Sequence, residues 1–217
     1  MASVLTVNTA QAPADLGGLR TGINKRPSDE PLEVRAPGPR KGGLGSGVVG
    51  DSVCNSRHHG GDDQAVYAYA REDLDGWQSR LERELTNGMF GENITTSGVD
   101  LTECLVGERW AVGTDGLILE VTSPRTPCKT FSTWLDIPGW IKTFTAAKLP
   151  GAYFRVIEPG TMRAGDQIEV LDRPDHSVTI GTVFRALMLE PDLLPTLAPA
   201  DALPEKIKQQ IARRSSA

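Results

Sequence analysis

The chain has 217 residues, a formal net charge of −5 and a pI of about 5.3, so no whole-chain electrostatic attraction to nucleic acid is expected. With 39% hydrophobic and 24% charged residues it has the composition of a soluble globular protein, long enough for one domain with at most a small appendage. Three scattered cysteines, Cys54, Cys104 and Cys128, describe no disulfide framework; MASVLTVNTAQAPADLGG shows no secretory pattern and no apolar run nears a membrane span, so a cytoplasmic protein is expected.

Residues 2–9 alternate like a first strand, and LEVR (Leu32 to Arg35) is a second, short one. PGPRKGGLGSGVVGD (Pro37 to Asp51) is too rich in Gly and Pro for a regular element and reads as a long loop, functional or mobile. Within it Gly45-x-Gly47-x-x-Gly50 matches the dinucleotide fingerprint as a string. No strand precedes it and no helix opens at its last glycine, so glycines allowing positive φ and close packing are the better account.

Asp62 or Asp63 can cap a helix, and Val66, Ala70, Leu74, Trp77, Leu81 and Leu85 follow at helical spacing. This predicts one amphipathic helix or a broken pair, with Gly76 a possible break and Asn87-Gly88 the end. Ile94 to Thr96 reads as a short strand. RWAV, a Thr114-Asp115-Gly116 turn and LILEVT form a hairpin. Phe131 to Leu149 is helix-like and interrupted at Pro138-Gly139. GAYFRVI, QIEVLDR and SVTIGTVF read as strands. Residues 185–217 hold short helical runs between prolines and end in the basic EKIKQQIARR, a solvated helix face. These elements predict a mainly β, α+β domain with a barrel-like core over residues 1–184 and a small helical appendage over 185–217.

LILEVT runs directly into Pro124-Arg125-Thr126-Pro127-Cys128. Two prolines stiffen the strand exit and present a thiol between the cations Arg125 and Lys129, which favour thiolate, the form that attacks electrophiles and binds soft metals. From the motif alone, a small buried apolar cysteine is an equal reading.

Four segments in this order, GDSVCNSRHHGGDDQAVYAY, FGENITT, SPRTPC and GAYFRVIEPGTMRAGDQIEV, resemble the MOSC family, the molybdenum cofactor sulfurase C-terminal domain. They are most similar to its stand-alone bacterial reductases of N-hydroxylated bases, over most of residues 1–184, and residues 185–217 resemble that branch's helical tail. The resemblance implies a barrel-like domain holding a molybdenum–pterin cofactor, with Cys128 as metal ligand and catalytic residue; the family also carries an association with pyridoxal phosphate binding. Soft sulfur suits a redox-active metal, and coordination requires the thiolate.

His59, in the H-G-G motif, is expected as a second catalytic residue of the pocket, or else as a histidine bonded to a backbone carbonyl. Arg125 and Lys129 are candidates to hold the cofactor's phosphate, with surface ion pairs as the alternative. Asn93 offers donors and acceptors to a heterocycle, or forms a turn after Gly91; Arg57 is a weaker cofactor-binding candidate, as is Arg155. Glu92 is a possible proton donor but reads better as a cap or ion pair, and Asp63 and Gln64 read as a helix start. Cys54 and Cys104 read as packing residues. A zinc site from Cys54, His58 and His59 lacks ligands.

The expected activity is reduction of hydroxylaminopurine-like bases to the amine and water. No nicotinamide, flavin or iron–sulfur site is evident, so a separate electron-donor protein of flavin or iron–sulfur type is expected as partner, with neither nucleic acid nor membrane. The alternative is a non-catalytic carrier of molybdenum cofactor or of a persulfide on Cys128. A cysteine hydrolase is disfavoured, because no carboxylate is evident to orient His59.

Overall fold

The first strand, β1 (Ser3–Thr9), buries both Val4 and Val7 in the main core, because an irregularity between Val4 and Thr6 shifts its alternation by one residue. The computed structural model describes residues 1–55 and 59–215. Four short strands follow: β2 (Ala14–Asp15), β3 (Arg20–Thr21), β4 (Arg26–Ser28) and β5 (Leu32–Val34). A 3-10 turn (Asp62–Gln64) leads into β6 (Val66–Ala70), then α1 (Arg71–Leu81), β7 (Ile94–Ser97), β8 (Arg109–Val112) and β9 (Leu117–Pro124). Next come α2 (Lys129–Leu135), α3 (Trp140–Ala147), β10 (Ala152–Glu158), β11 (Gly160–Met162), β12 (Ile168–Asp172), α4 (Ile180–Met188) and α5 (Glu205–Ser215).

Eight strands form one sheet in the order β12-β8-β9-β10-β6-β7-β1-β4; all its pairs are antiparallel except β6 with β7. The expected α+β class is what the chain adopts. The sheet is open, with β12 and β4 as edges, and does not close into a barrel. Its far sides touch where Ser3 bridges Gln167 and the Val4 N–H donates to the Asp166 carbonyl at 2.8 Å.

Strand β6 explains how two cores meet. Val66, Ala68 and Ala70 enter the main aliphatic core, whereas Tyr67 and Tyr69 enter an aromatic core with Trp77, Phe90, Phe131 and Trp140. Alternation thus feeds both sheet faces, and every residue of β6 is buried. This corrects the helix expected from Asp62 onward: Val66 and Ala70 are strand, because a run buried on both faces carries no period that separates it from a helix. The helix starts at Arg71, passes through Gly76 without breaking, and stops at Glu82, whose φ is 49°.

SVTIGTVF is corrected likewise. Thr179 caps α4, its hydroxyl accepting from the Thr182 N–H at 3.1 Å, and Ile180, Val183 and Phe184 are buried at helical spacing. Helix α4 runs across residue 184. Leu197, Leu203, Ile207 and Ile211 share the main core with the sheet, so residues beyond 184 pack on the same core. Among the described residues no helix is long and apolar enough to cross a membrane.

Candidate functional site

Central strand β9 continues through Pro124 and delivers Arg125 into the interior and Cys128 to the start of α2. Cys128 is extended, with φ −130° and ψ 169°, so α2 begins at the next residue. Thr126 and Lys129 face solvent, whereas Arg125 is buried and Cys128 half-buried.

Arg125 stands in an aromatic box. Its guanidinium carbon lies 3.8 Å from the Phe131 ring centre and 5.2 Å from that of Tyr67, and Nη1 donates to the Phe90 carbonyl. Among the described residues no carboxylate pairs with it. A buried cation without a counter-ion is costly unless stabilised by ring quadrupoles, carbonyls and nearby anions. Cys128 is one such anion: Arg125 itself stays charged, burial opposing that state while Tyr67, Tyr153 and Cys128 favour it.

The thiol shows the reciprocal effect. Burial pushes its pKa up, but a side-chain hydrogen bond with His59, the Arg125 charge and the Phe131 backbone N–H together lower it from 9.0 to about 6. At neutral pH Cys128 is therefore largely thiolate. The structure joins Cys128, His59 and Arg125, and leaves Lys129 on the rim.

Two pockets meet at this thiolate. Asn55, His59, Gln64, Cys128, Thr130 and Tyr153 line both. The inner pocket continues past Arg125, Tyr67 and Asn93 to Lys25 and Asp51. The larger outer pocket is bounded by Arg40 and Lys129 and by Lys206, Ile207 and Gln210 of α5.

The 37–51 loop forms part of the inner wall. Gly61 N–H donates to the Gly45 carbonyl, and Gly47 N–H to that of Ala65. A Cβ on Gly60 would stand 2.6 Å from Gly45 O, so the glycine after His59 allows a backbone approach that a side chain blocks. At the loop's end the Asp51 carboxylate accepts from Lys25, Ser46, Asn93 and the Ala10 N–H. Asn93 accepts from the Tyr67 N–H through Oδ1 and donates to Asp51 and the Asn8 carbonyl. Its amide lines the pocket yet is committed to the framework.

Arg57, and His58 of the zinc reading, lie outside the described residues. Among those described, no group of three His, Cys, Asp or Glu is placed to hold a metal ion. Arg155 and Asp63 pair with each other, and Arg155 also with Glu120, outside the inner pocket. Glu92 is fully buried, so the surface ion pair is corrected: its carboxylate accepts from Gly88 N–H, Phe90 N–H and the Thr95 hydroxyl, closing the turn before β7. Cys104 is a buried packing residue, its thiol pKa pushed up by burial. Cys54 is exposed on the inner pocket, against the packing role expected of it.

Gln64 is the residue the sequence reading misplaced. It ends the 3-10 turn and lines both pockets, and its Oε1 is buried without a hydrogen-bond partner among the described residues. Tyr153, its ring centre 4.9 Å from that of Tyr67 and tilted by 36°, is the other shared wall residue; its motif GAYFRVI carried the signal, but only the fold turns it toward the thiol.

These donors fit the implied cofactor better than a bare metal. One thiolate cannot cage an ion, but a metal carried by a pterin with its own dithiolene sulfurs needs only one protein sulfur. Gln64 Oε1, without a partner among the described residues, and the Arg125 cation, which no described carboxylate neutralises, are polar groups left for such a guest.

The MOSC domain model matches residues 55–169. The chain is 28% identical over 181 residues to the uncharacterized protein YflK of Bacillus subtilis (strain 168), covering 82% of this chain and 77% of YflK. It is 28% identical over 208 residues to a protein named reductase from Gibberella moniliformis (strain M3125 / FGSC 7600), covering 84% of this chain but 37% of that protein. The crystal structure of YiiM from Geobacillus stearothermophilus superposes with a TM-score of 0.78 and 23% identity over 99% of both chains, a likeness of fold.

Proposed function

The chain belongs to the MOSC domain family, and from that premise we propose that it is a molybdenum-cofactor-binding oxidoreductase reducing N-hydroxylated substrates, hydroxylaminopurine-like bases first, to the amine and water. The observation that carries this reading is the Cys128 thiolate, with a pKa of about 6, facing a pocket lined by His59, Tyr153 and Gln64. A family associated with molybdenum cofactor binding and a relative named a reductase support it.

Cys128 would hold the metal, with Arg125 behind it and Lys129 at the rim to balance the cofactor's negative charge. The bound cofactor supplies the two-electron redox chemistry. His59 lines both pockets with the thiol, whose pKa it lowers, and there it can hold or pass a proton as the N–O oxygen leaves as water. Tyr153 offers a flat face to a heterocycle. Two electrons and two protons balance the reaction, and the electrons come from a separate flavin or iron–sulfur protein in the cytoplasm.

The test is protein made in a cofactor-competent host, analysed for metal and pterin and assayed with a chemical electron donor. Stoichiometric molybdenum with turnover of 6-N-hydroxylaminopurine is expected. Stoichiometric molybdenum without turnover of any N-hydroxylated base would move the assignment to a cofactor or persulfide carrier, and protein without molybdenum would remove both.

A further inference from the structure

We infer that Gln64 is the residue that reads a hydrogen-bond donor on the bound substrate, its Oε1 accepting from an N–H or O–H of the guest where the two pockets meet. Oε1 is buried and has no partner among the described residues, although buried polar atoms are rarely left so. The residue lines both pockets beside Cys128, His59 and Tyr153, so a guest at the thiolate lies against this side chain and meets Oε1, covered in the empty protein, once the amide turns toward it.

The backbone that carries Gln64 is fixed before any ligand arrives. Gln64 N–H donates to the Gly61 carbonyl at 2.9 Å, and Asp62 exchanges bonds with Gly38, giving its N–H to Gly38 O and accepting the Gly38 N–H on its carboxylate. Asp63 is fixed on the other side, its carboxylate by Arg155 and its carbonyl by the Thr122 hydroxyl at 2.7 Å. An acceptor positioned by a rigid turn and left unsatisfied costs stability in the empty protein and is repaid only by a guest with a donor. A hydroxylamino group carries both an N–H and an O–H, whereas an aromatic N-oxide without exocyclic donors carries neither. Gln64 would therefore separate these two classes of N–O compound.

This inference rests on the reductase reading only for the choice of probe. The test is calorimetric binding of 6-N-hydroxylaminopurine and of pyridine N-oxide to molybdenum-loaded, full-length protein without an electron donor, for wild type and Gln64→Leu, with the Tm of each unliganded protein. Leucine keeps the side chain's bulk and removes the acceptor. We expect affinity for the hydroxylaminopurine to fall about tenfold, that for the N-oxide to stay unchanged, and Tm to stay level or rise. Equal affinity of both proteins for the hydroxylaminopurine, no binding by wild type, or a lower Tm in the variant would overturn the role. An intact affinity difference with no turnover in the donor assay would remove the reductase activity and leave Gln64's role standing.

Discussion

The Arg125 guanidinium lies 3.8 Å over the Phe131 ring, which fixes a buried cation beside Cys128 without a carboxylate to neutralise it. Its field is thus available to the thiolate. Replacing Arg125 by Met keeps much of the chain's bulk against Phe131 and Tyr67 and removes the charge. The pH midpoint of Cys128 alkylation by iodoacetamide, expected near pH 6 in the wild type, then moves upward. His59→Ala moves it in the same direction, because the imidazole also lowers the thiol's pKa. An unchanged midpoint in both variants would show that neither group activates the sulfur.

The same shift links stability to pH. The folded-state pKa of about 6 lies below the ordinary thiol value of 9.0, so the native state favours the thiolate. The contribution is full above about pH 9, declines as pH falls toward 6, and is absent below that. Urea unfolding of wild type and Cys128→Ser should show the wild type's advantage growing between pH 6 and 9, by on the order of 1 kcal/mol per unit. A difference flat across that window would mean that the thiol's ionisation is not coupled to folding.

What could be read in advance follows the range of the interactions. β1, the β8–β9 hairpin and the α2–α3 break are local patterns of alternation and punctuation, and the fold follows them. β6 was hidden because burial on both faces erases the period of two, and α4 because Val, Ile and Thr in SVTIGTVF carry strand propensity while Thr179 caps a helix. At the site, Cys128 and Arg125 were legible from adjacency within PRTPC. Gln64 was not, since its value lies in an unpaired atom that appears only when β9, β10 and the turn converge. Arg155 was misleading for the converse reason, its charge being taken up by Glu120 and Asp63.

Glu92 tests whether the FGENITT motif builds the site or acts in it. Its carboxylate serves three donors, Gly88 N–H, Phe90 N–H and the Thr95 hydroxyl. Burial pushes its pKa up against those bonds. Glu92→Ala orphans all three donors, and a loss of about 3 kcal/mol in urea unfolding is expected. The Cys128 alkylation midpoint should not move, since Glu92 does not line either pocket at the thiol. A shifted midpoint with unchanged stability would return Glu92 to the chemistry.

Helix α5 gives the outer pocket a wall and the core an anchor through one residue. Ile207 is buried in the main core and lines the outer pocket, with Lys206 beside it on the rim. Ile207→Ala should cost about 2–5 kcal/mol by cavity formation. Lys206→Ala should leave stability within about 0.5 kcal/mol, because the side chain is exposed. Thermal unfolding of the two variants separates the anchor from the rim, and equal losses would mean that the helix docks through its charges.

Lys25 and Asp51 form the inner pocket's floor, with side chains 7% and 1% exposed. Asp51 ties the 37–51 loop to β1 and β7, since the Ala10 N–H, Ser46 and Asn93 all donate to its carboxylate. Removing one partner of a buried pair strands the other charge, so Asp51→Ala should cost about 3–5 kcal/mol. Lys25→Met alone also leaves a buried anion, but that anion keeps three other donors, so its loss should be smaller. In the Lys25→Met, Asp51→Leu double variant no buried charge remains, and stability should recover relative to Asp51→Ala. The double-mutant cycle in urea unfolding measures the coupling. Simple additivity of the two single losses would mean that the pair is screened by water entering the pocket and does not hold the loop against the sheet.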